Sequence, residues 1–328
     1  MGDNMKYPKS LTKKSTIGLI APAGPLRNIK IEEIKYELNN MGYKVKIGKS
    51  CYLSYKGYLS GNDKERALDL ERMFLDKDVD AIMCIRGGYG CTRILDLIDF
   101  NIIRDHPKIF IGFSDITALH LVINQKSNLA TYHGIMASSI QKWDDFTYNS
   151  LINALNFKDE LIIKNPYDEK FISLYDGSCE GILVGGNLSL IISTLGTEYE
   201  IDTKNKILFI EEVGEFTYKI DKMLNHLQMA GKFDECIGII FGEFTNCHKA
   251  FKNDDGILNI LEEIAMKRVL ILSAAVLFCG VPLRAQVTKQ VEVTKTYVPE
   301  VSKAVKLPIV PDMTDTVQPN PMSFSPIC

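Results

Sequence analysis

The sequence predicts an α/β protein built on a parallel sheet with helices on both faces. Short apolar runs alternate with amphipathic ones through the first half of the chain. The apolar runs are nearly continuous, as in strands buried on both faces, and several break into glycines. In such sheets, sites lie beyond the carboxyl ends of the strands.

Taken in order, "TIGLIAPA" (16–23) is a strand and "IKIEEIKYELNNMG" (29–42) a helix stopped by Gly42. "KVKIGKS" alternates as a second strand. "NDKERALDLERMFLD" (62–76) opens on an Asn/Asp cap and continues as an amphipathic helix. "VDAIMCIRGGYG" (79–90) is a third strand, and "CTRILDLID" after it has helical character. "KIFIGF" then leads into the helix "DITALHLVINQ", followed by "LATYHG". From about residue 158 the chain turns polar and reads as a linker with short strands. A second unit holds "GILVGGNLSLIISTLGT" (181–197), the strand "KILFIEEVGE" (206–215) and the helix "YKIDKMLNHLQMAG" (218–231). The strand "CIGIIFGEF" (236–244) and the helix "ILNILEEIA" (257–265) complete it.

The chain has 328 residues, 46% hydrophobic and 24% charged, so it can bury a sizeable core in two domains. A net charge of −3 gives no nucleic-acid footprint. The opening "MGDNMKYPKSLTKK" lacks the apolar core of a secretion signal. None of the eight cysteines forms a Cys-x-x-Cys pair, which reads as free thiols in a reducing, cytoplasmic compartment.

The chemistry-bearing stretch is "KIFIGFSDIT", where a buried strand ends on Gly-x-Ser and turns into a helix. Ser114 there would stand beside free helix N–H groups, which favour a developing oxyanion. The N–H of Asp115 is the natural first donor, and the "RGGYG" turn at Gly87 and Gly88 could bring a second. The stretch lacks the second glycine of a hydrolase elbow, and Gly-Ser also simply makes turns. Glu211 and Glu212 end an apolar strand, where a carboxylate can orient an imidazole or merely be solvated. His133, at a strand end, is the best placed of the five histidines; none has metal-ligand spacing, and no metal or cofactor is expected.

These motifs in this order, from "GYLSGNDKERALDL" through "IRGGYGCTRILDL", "IFIGFSDITALHL", "YHGIMAS", "GGNLSLIISTLGT" and "ILFIEEVGEFTYKIDKMLNHLQMAG", resemble the LD-carboxypeptidase family over residues 15–265. The resemblance implies a flavodoxin-like N-terminal domain (1–160), a linker (161–178) and a smaller β-rich C-terminal domain (179–265). It implies a Ser-Glu-His peptidase with Ser114 as nucleophile, Glu211 as triad carboxylate, and Asp115, Gly87 and Gly88 supplying the oxyanion site. The implied reaction removes the terminal D-alanine of a muropeptide tetrapeptide in cytoplasmic cell-wall recycling, in a homodimer without nucleic-acid or membrane partners.

The family histidine lies in a C-terminal Gly-His segment, and here no histidine follows His248. Residues 266–328 instead begin with "MKRVLILSAAVLFCGVPLRAQ", a signal-peptide-like pattern in the wrong place, too short for the ~20 residues of a membrane span. The C-terminal domain therefore reads as truncated, the tail as extended and unrelated, and the triad as incomplete. Two alternatives stand beside the peptidase: a microcin C immunity-type acyl-sulfamoyl nucleotide hydrolase, and a non-catalytic remnant. The former type carries an aromatic-bearing insertion, whereas the only tryptophan here is Trp143.

Overall fold

A computed structural model describes residues 5–156, 172–175 and 177–266. The chain divides into two compact units, Met1–Thr288 and Lys289–Cys328, and the second lies wholly outside the described residues. Most of the expected linker and, save Met266, the whole segment 266–328 also lie outside them.

The first sheet is built from β1 (Thr16–Ile20), β2 (Lys44–Ile47), β3 (Ala81–Cys84), β4 (Ile109–Gly112) and β5 (Tyr132–His133). All pairs are parallel, in the order β2-β1-β3-β4-β5, the flavodoxin order. The crossovers carry α1 (Ile31–Asn40), α2 (Asp63–Leu75), α3 (Phe100–Asp105) and α4 (Thr117–Ser127), and α5 (Asp145–Leu155) follows β5. The start of α2 is fixed by a capping box: Asn62 accepts from the Glu65 N–H at 3.0 Å, and Glu65 accepts from the Asn62 N–H at 2.8 Å.

Period-two alternation divides the core between the two faces of this sheet. Ile82, Cys84 and Phe110 pack on one face with Leu70, Phe74, Leu119 and Val122; Ala81, Met83, Ile109 and Ile111 pack on the other with Ile34 and Leu38. Over the central strands β1, β3 and β4 both faces are covered, which is why these strands read as unbroken apolar runs.

A second, three-stranded parallel sheet has the order β6-β7-β8, from β6 (Leu183–Asn187), β7 (Ile207–Val213) and β8 (Gly238–Thr245). Its helices are α6 (Leu188–Thr194), α7 (Thr217–Met229), α8 (Lys232–Glu235) and a last one over 257–266. Helix α4 joins the two sheets, packing on α6 and β6 and sending Leu121 into the core of Leu208, Ile210 and Leu224. Every residue from Thr117 to Ile123 is buried. A helix covered all round has no polar face, which explains its weak amphipathic pattern.

The stretch expected to be helical after Gly90 is a 3₁₀ turn, Cys91–Leu97. Its first N–H, that of Cys91, goes to the Asp115 carboxylate at 2.8 Å, and Arg93 closes an i+3 bond to Gly90.

Candidate active site

Ser114 opens a 3₁₀ turn (Ser114–Ile116) between β4 and α4. Its φ is +61°, a left-handed conformation that costs a side-chain-bearing residue about 1–2 kcal/mol and persists only where its surroundings impose it. The Gly87 turn, at the end of the neighbouring strand β3, presses against it. A Cβ on Gly87 would lie 3.0 Å from both Cβ and Oγ of Ser114 and 3.6 Å from the Asp115 nitrogen. The N–H groups of Gly87 and Gly88 have no hydrogen-bond partner among the described residues.

Three contacts hold this turn. The carbonyl of Gly87 accepts from the Gly24 N–H at 3.2 Å, tying the ends of β1 and β3 together. Arg66, buried on α2, donates to the carbonyls of Gly90 (2.8 Å) and Pro22. The Asp115 side chain holds Cys91, and burial pushes that carboxyl above its usual range. Asp115 therefore has a structural side chain beside the backbone N–H that sequence reasoning singled out.

The two carboxylates ending β7 differ sharply. Glu212 is 3% exposed and accepts four hydrogen bonds: from Asn187 Nδ2 (2.8 Å), the Val213 N–H (2.9 Å), the Ser189 N–H (2.9 Å) and Ser189 Oγ (2.6 Å). It braces β6 and the first turn of α6. Glu211 is also buried, yet its Oε1 has no hydrogen-bond partner among the described residues. Burial first, and the Glu212 charge second, push the Glu211 carboxyl up to about 7. Glu215 lies apart in an exposed pair with Lys219 at 3.0 Å.

His133 Nε2 faces Glu211 Oε1 at 3.6 Å, bridging the two sheets. The residue is exposed along its backbone, but its side chain keeps only 25% of its surface. Burial lowers the imidazole to about 4. Phe113, His120 and Phe209 surround the ring, with centroids 6.3, 6.1 and 5.4 Å away. Gly186, with φ +139°, lets β6 close over it, since a Cβ there would meet Thr117 Oγ1 at 2.7 Å and His133 Nδ1 at 3.2 Å. His120 is buried on α4, with Nε2 on the Gly112 carbonyl at 2.8 Å and Nδ1 unpartnered; burial first, and His133 second, take it down to about 3. His226 and His248 are exposed; the latter bonds its backbone to Glu215 and Thr217.

Residues 17–134 match the family model of the LD-carboxypeptidase N-terminal domain, and residues 180–312 that of its C-terminal domain. The chain belongs to the LD-carboxypeptidase family. The second match runs beyond residue 265, where the resemblance in motifs stops, into residues outside the described set. A probable murein peptide carboxypeptidase of Bacillus subtilis (strain 168) is 46% identical over 248 residues, covering 73% of this chain and 75% of that protein. A putative carboxypeptidase of Streptomyces coelicolor is 32% identical over 244 residues, covering 73% and 78%. The solved muramoyltetrapeptide carboxypeptidase from Oxalobacter formigenes superposes with a TM-score of 0.66 at 25% identity, covering 77% of this chain and 85% of that one. The microcin C7 self-immunity protein MccF, wild type and apo, gives 0.68 at 24% identity over 80% and 87%, a likeness of fold.

Within this family member, the described residues hold no cluster of three His, Cys, Asp or Glu fit for a metal ion. No helix among them is long and apolar enough to cross a membrane. Trp143 packs in the core of the first sheet, its Nε1 donating to Ser139 Oγ at 3.0 Å. The sequence pattern pointed to His133 without naming its partner. Neither its contact with Glu211 nor the orphaned Oε1 could be read from spacing, because the two residues lie on different sheets.

Proposed function

We propose that this chain carries the site of a serine LD-carboxypeptidase, built to release the terminal D-alanine of a muropeptide tetrapeptide. The left-handed Ser114 turn pressed against Gly87 is the observation that carries this reading. Ser114 Oγ would attack the scissile carbonyl, and the Asp115, Gly87 and Gly88 N–H groups would receive the oxyanion. D-Alanine would leave as the free amine, and water would then hydrolyse the acyl-serine. Both halves require a base to take the attacking proton and return it to the leaving amine. Glu211 is the carboxylate to orient that base.

The base itself is the weak point. The family histidine has no counterpart after His248, so the chain hydrolyses muropeptides at a rate near background. A cytoplasmic recycling role and homodimer assembly rest on the family resemblance alone. The nucleotide-hydrolase alternative gains nothing from Trp143, whose ring is committed to the core.

The test is mass spectrometry of a muramoyl tetrapeptide incubated with three proteins: the 328-residue chain, a version with a family Gly-His C-terminal segment, and that version carrying Ser114→Ala. D-Alanine release by the second alone supports the proposal. A silent restored enzyme, or release that survives Ser114→Ala, overturns the nucleophile. Serine-dependent release by the unrestored chain overturns its inactivity.

A further inference from the structure

We propose that His133 is a positioning residue for Glu211, hydrogen-bonding its buried Oε1 across the junction of the two sheets. This rests on the reading of Glu211 as the site carboxylate. Three observations converge on it. Nε2 of His133 points at Oε1 from 3.6 Å, a few tenths of an ångström beyond a hydrogen bond. That oxygen is one of three buried side-chain polar atoms without a partner among the described residues, and His120 Nδ1, across the same ring, is another. The cradle is also shaped for an imidazole: Gly186 approaches it without a Cβ, and Phe113 and Phe209 border it.

An imidazole suits this place because either tautomer serves. Against a carboxylate, Nε2 carries the proton and donates; against a carboxylic acid, Nε2 accepts and the proton sits on Nδ1. Glu211 can then be held in both protonation states, which no aliphatic side chain can do. The titratable groups facing the pair are His120 on α4 and Glu212 on β7; the latter takes its own donors from Asn187, Ser189 and Val213, and Asn187 also favours the charged form of Glu211.

His133 is not thereby the missing base. Its Nε2 faces Glu211 and its Nδ1 abuts the bare face of Gly186. The residue holds the carboxylate in place for whatever imidazole completes the site.

The experiment is a carboxyl-carbon NMR titration of Glu-labelled, full-length chain, with Glu211→Gln assigning the signal. His133→Leu keeps the ring's burial and removes its hydrogen bonding, whereas His133→Gln retains both a donor and an acceptor. A hydrogen bond to the charged form is stronger than one to the neutral form, so Leu should raise the Glu211 midpoint by about one pH unit. Gln should leave it near the wild-type value. Equal midpoints for the Leu and Gln variants, or a Leu variant matching wild type, overturn the proposal. A midpoint shift needs no turnover, so failure of the carboxypeptidase assay would leave this result standing. A failed titration would equally leave Ser114 untouched.

Discussion

The two halves of the site are built to different standards. On the five-stranded sheet, Ser114 and the Gly87 turn are held by near neighbours: Gly24, Arg66 and Asp115 all spend their polar groups on this loop. On the three-stranded sheet, Glu212 is saturated while Glu211, one residue earlier, keeps an empty oxygen. The difference teaches that the Ser114 turn is held within its own fold. On the proposed reading, the carboxylate half receives another group.

The largest expected effect comes from supplying that group. Removing the base histidine of a serine protease costs about 10⁶ in turnover, so a restored Gly-His segment should raise D-alanine release by several orders of magnitude. The tetrapeptide assay reads it directly. If the gain is absent, the two halves do not form one site.

Next comes the contrast between the adjacent carboxylates. Glu212→Ala leaves Asn187 and Ser189 with buried, unpaired donors and should cost about 3 kcal/mol in urea unfolding. At about pH 6, Glu211→Gln should cost under about 1 kcal/mol, because the amide keeps an acceptor oxygen in place of the carboxyl. Similar losses for both variants would erase the comparison.

The junction between the halves can be tested at Gly186. An alanine there meets Thr117 and His133 at a positive φ, and overpacking of this kind costs about 1–3 kcal/mol. Gly214→Ala also sits at positive φ but has nothing within 4 Å, so it should lose only the backbone contribution of about 1 kcal/mol. Thermal unfolding of the two variants separates contact from conformation.

The last comparison is a pH slope. A carboxyl held at about 7 instead of its ordinary 4.5 binds its proton more tightly in the folded state. The folded state thus loses stability as pH rises from 4.5 through about 7. Glu211→Gln removes that loss, so the variant should gain a few degrees over wild type at about pH 8 and little at about pH 5. His133 and His120 act on the acid side: held at about 4 and about 3, they cost stability as pH falls below 6.5. Their slope should survive in the Glu211 variant, and its disappearance would show that the groups titrate as one.

Much of the architecture was legible because it is local. Strand runs such as "AIMC" and "IFIG" are buried on both faces and declare themselves by unbroken apolarity. The Asn62–Glu65 cap is a spacing of three. Ser114 was legible for the same reason, since strand, glycine and helix start are consecutive. The stretch after Gly90 was legible as helix-like and is wound as a 3₁₀ helix, Cys91–Leu97, a tighter form that spacing along the chain does not distinguish.

The sequence by itself determined the strand–helix order, the family and the place of the Gly-x-Ser turn, all of which follow from neighbours along the chain. Only the tertiary structure decided which of two adjacent glutamates is saturated and which stands open to His133. The physical reason is that hydrogen-bond satisfaction inside a protein is set by what meets in space. Asn187 and Ser189 reach Glu212, whereas Glu211 faces across to the other sheet, and nothing in "IEEV" distinguishes the two.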